Sequence, residues 1–376
     1  MKFNTAFPYF PEEDIENILR EFRKLLAGEG LLSMGKYVQE FEKNFANYIG
    51  VKYAIATTSC TSALETILTA IGVGHGDEVI VPSQTFIATA SAVVRRGARP
   101  VFAEINNYFL LDFEDMKSKI TGNTKAVICV HFAGLLDENL LEIKSWLKER
   151  GILLIEDAAH AHGASLENKK AGSIGDAAAF SFYSTKNMTT GEGGMITTDD
   201  KLIAQKCRSI GSRGLDLQAG YEIFNELGTN QRMTEFQALM GISQLKRLNE
   251  FVTHRTRVAD TYTKCLRPLS EIGSIQLLEV NNNKIIHAFW RYIIFLTNGQ
   301  DREKLRKNME KHSIKIDWAY QPLVHLQPIM QKMYGGKKDD LPFSEKLGET
   351  HICLPINLGT SVVDAQHIGN TLIDYL

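Results

Sequence analysis

A lysine that follows a short apolar run is the first side chain in this sequence whose position suggests chemistry. Lys186 lies within "SFYSTKNMTTGEGG", between an apolar run and a turn rich in threonine and glycine. A lysine becomes nucleophilic only when desolvation or nearby positive charge lowers its pKa. Taken alone, the stretch is more typical of a strand that reaches the surface and exposes a solvated lysine. A chemical role for Lys186 therefore needs support from the rest of the chain.

Three other segments carry side chains that would suit a bound ligand. Glu156 and Asp157 end the apolar run "ILLIED", and alternation along a strand should point them to opposite sides. A carboxylate at a buried strand end needs a positive partner or hydrogen-bond donors. In "TTSCTS", Thr61 and Ser62 precede a helix-like segment and could bind an anion at its N-terminus. Phe86, in "PSQTFIATA", could offer a flat face to an aromatic ligand.

Each of these segments also has an ordinary structural interpretation. N-capping alone explains hydroxyl groups in front of a helix, and a phenylalanine after a strand is more often a core side chain. His160 and His162 follow Asp157, but no further ligands stand at a spacing typical of a metal site, so we expect none. Considered one at a time, the structural interpretations are favoured.

The spacing of apolar runs predicts the sheet that would bring these residues together. The first five runs begin about 25 residues apart, the length that a helical crossover between parallel strands requires. The last two are too close for a helix and favour a tight antiparallel hairpin. We therefore predict an α/β fold with a mostly parallel, seven-stranded sheet covered by helices. The predicted strands are residues 53–57, 78–82, 100–105, 125–130, 152–157, 178–182 and 194–198.

The pattern changes in the last third of the chain. A capping-box pattern at Thr234 and Gln237 predicts a helix, and a second helical segment follows to about Leu266. "FWRYIIFL" and "IKIDWAY" then favour strands, whereas "DREKLRKNMEKHSI" and "VVDAQHIGNTLIDYL" favour helices. We predict a large domain over residues 1–250, including an N-terminal helix, and a smaller α+β domain over residues 251–376.

Jointly, the four chemical features favour a function. Ligands of open α/β sheets bind outside the carboxyl ends of the strands, and all four features fall there. Helix N–H groups would hold a phosphate, Phe86 would stack on a ring, Asp157 would pair with a protonated ring nitrogen, and Lys186 would bind an aldehyde. Together these describe a pocket for pyridoxal 5′-phosphate (PLP), whose ring serves as an electron sink while its nitrogen stays protonated.

Longer motifs carry a family resemblance. "GDEVIVPSQTFIATA", "GARPVF", "IEDAAHAHGA", "GEGGMITT" and "NQRMTEFQALMGISQLKRL" occur in order and resemble the DegT/DnrJ/EryC1/StrS family of sugar aminotransferases. The resemblance covers most of residues 30–250 and continues more weakly to the C-terminus. It implies the PLP fold-type I (aspartate aminotransferase-like) architecture and a homodimer with shared active sites. It also implies transfer of an amino group from L-glutamate to a keto carbon of a nucleotide-linked deoxy sugar, in surface-glycan or secondary-metabolite biosynthesis.

The resemblance implies a role for each matching residue. Lys186 binds the cofactor aldehyde and is catalytic together with Asp157, which pairs with the pyridinium nitrogen. Family members that catalyse dehydration carry histidine at the lysine position, so Lys186 favours transamination. The remaining implied contacts are Phe86 and His160 on the ring, Thr61, Ser62 and Ser181 on the phosphate, Asn230 on the phosphate of the other subunit, and Arg213, Tyr320 and His325 on the substrate.

Three positions depart from the family pattern. Cys60 stands where glycine is usual, Arg213 stands where histidine is expected, and "PLVHLQP" has one extra residue ahead of His325. The side chain of Cys60 would narrow the loop that is expected to hold the phosphate. Arg213 and the extra residue ahead of His325 bear on the expected substrate contacts.

Composition limits the remaining function classes. A net charge of −2 gives no bulk attraction to nucleic acid or membranes. The N-terminal residues lack the apolar core of a signal peptide, and no apolar run is long enough to span a membrane. Five scattered cysteines favour a reducing, cytoplasmic location. The alternative functions are sugar dehydration, a lyase reaction, cyclitol transamination, or PLP-dependent regulation without turnover.

Overall fold

A computed structural model describes residues 3–4, 6–216, 219, 222–280 and 283–376. The helices are α1 (Glu12–Leu26), α2 (Lys36–Ile49), α3 (Cys60–Ala70), α4 (Ile87–Arg95), α5 (Phe113–Ser118), α6 (Leu140–Lys148), α7 (Lys201–Gly211), α8 (Glu235–Glu271), α9 (Arg302–Lys311), α10 (Pro328–Tyr334), α11 (Pro342–Thr350) and α12 (Val362–Ile373). The strands are β1 (Tyr53–Thr57), β2 (Glu78–Pro82), β3 (Arg99–Ala103), β4 (Thr124–Val130), β5 (Leu153–Asp157), β6 (Ser165–Leu166), β7 (Lys169–Lys170), β8 (Ala177–Ser181), β9 (Gly194–Thr198), β10 (Ile275–Leu277), β11 (Ile285–Ile286), β12 (Tyr292–Leu296) and β13 (His351–Leu354).

The large sheet has seven strands in the order β1-β9-β8-β5-β4-β2-β3, which confirms the predicted sheet. Strands β3, β2, β4, β5 and β8 are parallel, whereas β9 is antiparallel to both of its neighbours. In the register of the central strands, Val130 of β4 lies beside Asp157 of β5. The carboxyl ends of these strands therefore meet at one edge of the sheet.

Helices cover both faces of this sheet, which explains why its central strands are almost entirely apolar. Alternate residues of one strand belong to different cores. Val127 and Leu154 pack in a cluster with Phe45 of α2, whereas Ile128 and Ile155 pack in a cluster with Ile67 of α3. Both layers thus anchor the strand ends where the polar residues lie.

The antiparallel pairing of β8 and β9 confirms one part of the hairpin prediction and corrects another. The connection is not a tight turn but a loop over residues 182–193, closed by a 2.8 Å hydrogen bond from the Phe182 N–H to the Gly193 carbonyl. Lys186 lies in this loop, because β8 already ends at Ser181. A loop of this length allows the Lys186 side chain to point back over the edge of the sheet.

A single helix, α8, replaces the two helical segments expected after Thr234. Its N-terminus carries the predicted capping box between Thr234 and Gln237. The helix contributes Leu248 to the core of the large sheet and Tyr262 to a separate core around β10, β12 and β13. Because α8 runs through residue 250, the division at 250/251 stays a prediction.

The strand predicted over "IKIDWAY" is wrong. Residues 314–320 form only isolated bridges, one of them between Asp317 and Cys353. The Ala319 N–H donates to the His351 imidazole at 3.0 Å, and Tyr320 has a φ of 61°. A positive φ is incompatible with a strand, and here it turns Tyr320 toward the large sheet. Among the described residues, no helix is long and apolar enough to cross a membrane.

Candidate active site

A cavity of about 450 Å³ opens at the carboxyl edge of the large sheet. Seven of the sequence-predicted site residues line it: Thr61, Phe86, Asp157, His160, Ser181, Lys186 and Tyr320. These residues come from the ends of β5 and β8, the loop after β8, the first turn of α3, the N-cap of α4, and the loop before α10. The fold therefore gathers side chains that are distant in sequence into one pocket.

The loop that carries Lys186 is fixed at several points. Asn187 donates through Nδ2 to the Ala288 carbonyl at 2.7 Å, and the Trp290 indole donates to the Thr185 carbonyl at 2.9 Å. The Thr189 hydroxyl also donates to the Phe182 carbonyl at 3.0 Å. Because residues on both sides are anchored, the direction of the Lys186 side chain is restricted.

The environment of Lys186 lowers the pKa of its amine. Burial lowers this pKa to about 8, although Cys60 and the charge of Asp157 act in the opposite direction, and Arg291 adds to the lowering. The amine lies 4.4 Å from the centroid of the Trp290 ring. The unprotonated amine that a nucleophile or proton carrier requires is thus far more accessible near neutral pH than in an ordinary lysine, although the protonated form still predominates at pH 7.

Asp157 presents a buried carboxylate to the same cavity. The Thr89 hydroxyl donates to Oδ2 at 2.8 Å, the Ala159 N–H donates to Oδ1 at 3.2 Å, and the Cys60 thiol lies 3.8 Å from Oδ1. Burial raises the pKa of Asp157, while Thr89, Ala159 and Lys186 oppose the rise. A positive ligand group placed against this carboxylate would compensate its desolvation.

The neighbouring Glu156 points away from the cavity, as strand alternation predicts. Its carboxylate accepts hydrogen bonds from the N–H groups of Gly172, Ile174 and Gly175 at 2.6–2.8 Å, and its Oε2 lies 2.7 Å from the His131 Nε2. Burial would raise its pKa, but these partners outweigh burial and lower it. Glu156 is therefore an ionised structural group that holds the turn between β7 and β8.

The N-terminus of α3 forms one wall of the cavity. Ser59 caps the helix, because its hydroxyl accepts from the Ser62 N–H while the Ser62 hydroxyl accepts from the Ser59 N–H. Ser62 consequently does not line the cavity, whereas Ser59 and Thr61 do. The start of β9 approaches this turn so closely that a Cβ on Gly194 would lie 2.4 Å from the Ser59 carbonyl carbon. Only glycine at position 194 allows that approach.

Aromatic side chains close the cavity. The His160 ring stacks on Trp290, with 3.6 Å between ring centroids, and its Nε2 lies 3.0 Å from the Tyr320 hydroxyl. Burial, assisted by the charge of Lys186, holds the pKa of His160 well below its usual value, so the imidazole is neutral. Its Nδ1 is buried without a hydrogen-bond partner among the described residues. Phe86 is 52% exposed and tilts toward Tyr320, with 5.5 Å between the ring centroids.

Three other sequence-predicted residues lie away from the cavity. Arg213 is exposed at a φ of 71°, with its guanidinium 6.0 Å from the Phe224 ring. Asn230 is exposed and forms an isolated backbone bridge with Ser212. His325 is buried against Glu345 in a separate cleft, with 3.1 Å between Nε2 and Oε1.

Several residues that line the cavity were not predicted as site residues, among them Ser59, Cys60, Thr89, Trp290 and Arg291. In the sequence, Cys60 is marked only as a departure from the family pattern. Thr89 lies in α4, three residues after Phe86, and its residue type alone indicates no role. Trp290 and Arg291 lie directly before β12, far from the other motifs in sequence. Their only signal was an indole and a guanidinium at the start of an otherwise apolar strand.

Comparison with known proteins identifies the family. The sequence profile of the DegT/DnrJ/EryC1/StrS aminotransferase family matches residues 12–373. The chain belongs to this family. It is 38% identical over 341 residues to the GDP-perosamine synthase of Caulobacter vibrioides, covering 89% of each chain. An aminotransferase from Psychrobacter cryohalolentis has the same fold, with a TM-score of 0.91, 29% identity and coverage of 99% and 98%.

Membership in the DegT/DnrJ/EryC1/StrS family makes the protein a PLP-dependent aminotransferase. A sugar aminotransferase of Streptococcus pneumoniae, Spr1654, is known in a PLP form and aligns with a TM-score of 0.88 at 25% identity over 98% of this chain and 97% of that one. The cavity fits this cofactor chemically. It offers a lysine amine, a buried carboxylate, an orphaned imidazole nitrogen and hydroxyl groups at a helix N-terminus.

Proposed function

We propose that this family member transfers the amino group of L-glutamate to a keto carbon of a nucleotide-linked deoxy sugar. One observation carries the proposal: Lys186, with its pKa near 8, and the buried Asp157 line the same cavity at the sheet edge. An amine whose pKa is lowered toward neutrality and a carboxylate that stays buried are two groups that PLP-dependent transamination needs from its protein.

The cofactor supplies a carbonyl that captures amines and a ring that accepts electrons from the bond being broken. In the proposed assignment, Lys186 binds the cofactor and, once released, moves the proton of the donor's reacting carbon. Asp157 holds the ring nitrogen, and Phe86 and His160 orient the ring. Positioned proton transfer of this kind typically contributes about 10²–10⁴-fold to the rate.

The phosphate contacts belong to this proposal as well. Thr61 and Ser181 line the cavity, which supports their assignment. The Ser62 hydroxyl is engaged in the helix cap, so Ser59 is the better-placed side chain on this wall. Asn230 is proposed to reach the phosphate of the other subunit of a homodimer.

The acceptor class rests on similarity. The relative from Caulobacter vibrioides makes GDP-perosamine, a nucleotide-linked product, and shares 38% of its aligned residues with this chain. We propose a nucleotide-linked keto sugar as acceptor and, among the cavity residues, Tyr320 as a substrate contact. A cytoplasmic location and the division into residues 1–250 and 251–376 complete the proposal.

A two-part experiment tests this function. Glutamate is added to the PLP-loaded protein, and absorbance follows conversion of the bound cofactor to its amine form. A panel of GDP- and dTDP-linked keto sugars is then added, and mass spectrometry detects the aminated product. Conversion without aminated sugar would contradict the acceptor, and absence of conversion would contradict the amino donor.

A further inference from the structure

Two buried threonines connect the start of α4 to the Asp157 carboxylate. Thr85 and Thr89 are 1% and 0% exposed, and their hydroxyl oxygens lie 2.8 Å apart. The Thr89 hydroxyl lies 2.8 Å from Oδ2 of Asp157 as well. Because the threonines are four residues apart, the turn that begins α4 brings their hydroxyl groups together. The three side chains thus form a continuous chain of hydrogen bonds that ends at the candidate active site.

The chemistry of these groups determines which of them donates. An ionised carboxylate only accepts hydrogen bonds, and a threonine hydroxyl carries a single hydrogen. While Asp157 is ionised, the hydrogen of Thr89 therefore points to Oδ2, and Thr89 can only accept from Thr85. Thr85 donates to Thr89, and Thr89 donates to Asp157. Consecutive hydrogen bonds of this kind polarise and strengthen one another.

Asp157 depends on such donors because it is 5% exposed. Burial raises its pKa, and the hydrogen bond from Thr89 is the largest of the influences that oppose the rise. The other oxygen, Oδ1, has the Ala159 N–H at 3.2 Å and the Cys60 thiol at 3.8 Å. Among the described residues, Thr89 is therefore the nearest donor to this carboxylate.

We propose that Thr89, supported by Thr85, is a positioning residue that holds the Asp157 carboxylate in one orientation through Oδ2. This inference rests on the proposed function, in which Asp157 pairs with a protonated ring nitrogen. A neutral hydroxyl fixes a carboxylate without cancelling its charge. A lysine or arginine in place of Thr89 would fix it too, but its positive charge would compete with the ring nitrogen. The threonine chain thus preorganises the carboxylate and leaves its full charge for the cofactor.

Titration of the cofactor-free protein with PLP, followed by absorbance, tests this inference without turnover. Thr89→Val keeps the branched shape of the side chain but removes the hydroxyl. It should weaken PLP binding about 10- to 100-fold, the usual range for loss of a hydrogen bond to a charged group. The reason is that Asp157 would have to reorient or lose a proton as the cofactor binds. Equal PLP affinity in wild type and Thr89→Val would overturn the inference.

Two further variants separate the hydroxyl group from the packing around it. Thr89→Ser keeps the donor and should retain most of the affinity, whereas a serine variant as weak as the valine variant would overturn the inference. Thr85→Val keeps the direct donor and removes only its support, so it should weaken PLP binding by a smaller factor. This variant also carries the test if Thr89→Val folds poorly, and unchanged affinity would then overturn the inference.

Thr197→Val is the matched control. Thr197 is 0% exposed, its hydroxyl donates to the Gly172 carbonyl at 2.7 Å, and it does not line the cavity. Its replacement should lower Tm, as loss of a buried hydrogen bond does, but leave PLP affinity unchanged. If Thr197→Val weakened PLP binding as much as Thr89→Val, general loosening of the fold would explain both results and overturn the inference.

A double-mutant cycle shows whether Thr89 acts through Asp157. In an Asp157→Ala background no carboxylate remains to be positioned, so adding Thr89→Val should leave PLP affinity nearly unchanged. The same loss in both backgrounds would mean that Thr89 acts independently of Asp157, which would overturn the inference.

Glutamate turnover by the wild type reports separately on the proposed function. A wild type that converts glutamate while PLP affinity is independent of Thr89 would overturn the inference alone. A wild type that binds PLP in a manner dependent on Thr89 and Asp157 but does not convert glutamate would support the positioning role and contradict only the proposed amino donor.

Discussion

At the scale of single residues, the two adjacent carboxylates Glu156 and Asp157 have different roles. Asp157 faces the cavity and has a raised pKa, whereas Glu156 faces a ring of backbone N–H groups and has a lowered pKa. Strand alternation separates them, and the surroundings decide their protonation. Burial lowers the pKa of Lys186 to about 8, against the opposing charge of Asp157.

Substitution of Lys186 by alanine should abolish covalent attachment of the cofactor. Borohydride reduction followed by mass spectrometry of peptides should find pyridoxyl-lysine at position 186 in the wild type and nowhere in the variant. Lys170→Ala is the control, since Lys170 lies over the Tyr48 ring at 4.3 Å and does not line the cavity. Normal turnover by Lys186→Ala would contradict its assignment.

The adjacent carboxylates allow a paired test. Asp157→Asn should lower kcat about 100- to 1,000-fold with little change in Tm, because it removes a preorganised charge from the cavity. Glu156→Gln should instead lower the free energy of unfolding by about 1–3 kcal/mol, since it removes the negative charge and one of the two oxygens that accept from the buried N–H groups. Thermal unfolding and steady-state kinetics of both variants measure the contrast, and similar losses of kcat would contradict it.

The lowered pKa of Lys186 predicts how the cofactor-free protein takes up PLP. Only the neutral amine reacts, so the loading rate should rise with pH through about 8 rather than through the 10.5 of an ordinary lysine. Asp157→Asn removes a charge that raises this pKa, so the midpoint should move to lower pH. Arg291→Gln removes a charge that lowers it, and the midpoint should move upward. Stopped-flow absorbance across pH 6–10 gives these midpoints, and shifts in the same direction would contradict the electrostatic explanation.

At the scale of elements, the site depends on how closely two segments approach. The start of β9 lies against the N-terminal turn of α3, and the loop between β8 and β9 carries Lys186. The hydroxyl wall and the lysine are thus parts of one packed unit. A shift of β9 would move both of them.

Gly194→Ala tests that approach. Its Cβ would lie 2.4 Å from the Ser59 carbonyl carbon, so the backbone must shift, at a typical cost of about 1–3 kcal/mol for overpacking. Cofactor affinity should fall as well, because Ser59 and Thr61 belong to the displaced turn. Gly211→Ala is the control, since its Cβ would meet nothing within 4 Å. Chemical denaturation and PLP titration measure both effects, and identical behaviour of the two variants would contradict a structural role for the approach.

At the scale of the whole molecule, α8 joins the large sheet to the three-stranded sheet of β10, β12 and β13. It packs against the core of the large sheet near its start and against the smaller core near its end. Trp290 and Arg291 reach the cavity from the segment directly ahead of β12, a strand of that three-stranded sheet. The C-terminal part of the chain therefore contributes to the site, even though most of the motifs lie around the large sheet.

A mixing experiment tests whether the proposed homodimer shares its sites. Lys186→Ala and Asn230→Ala should each be impaired at limiting PLP, the second because the partner's phosphate loses a hydrogen bond. In a mixed dimer one site retains both residues, so mixing should restore up to about a quarter of wild-type activity. Native mass spectrometry confirms that mixed dimers form. Mixed dimers without restored activity would contradict the contribution of Asn230 across the interface.

The sequence by itself determined the sheet and the identity of its chemical residues. The spacing of the first five apolar runs predicted parallel strands, because parallel strands need crossovers of that length, and the shorter spacing of the last two predicted an antiparallel pair. The same pattern placed Asp157 at a strand end and Lys186 shortly after one, and motif resemblance assigned their roles. These features are local or periodic, so they can be read without coordinates.

Only the tertiary structure decided which other side chains share the cavity. Trp290 and Arg291 are more than 100 residues from Lys186 in sequence, and a turn at positive φ brings Tyr320 to the same place. In the structure, the Ser62 side chain forms part of a helix cap, and His325 lies in another cleft. Such placements depend on packing between distant segments, and neither periodicity nor residue type contains that information.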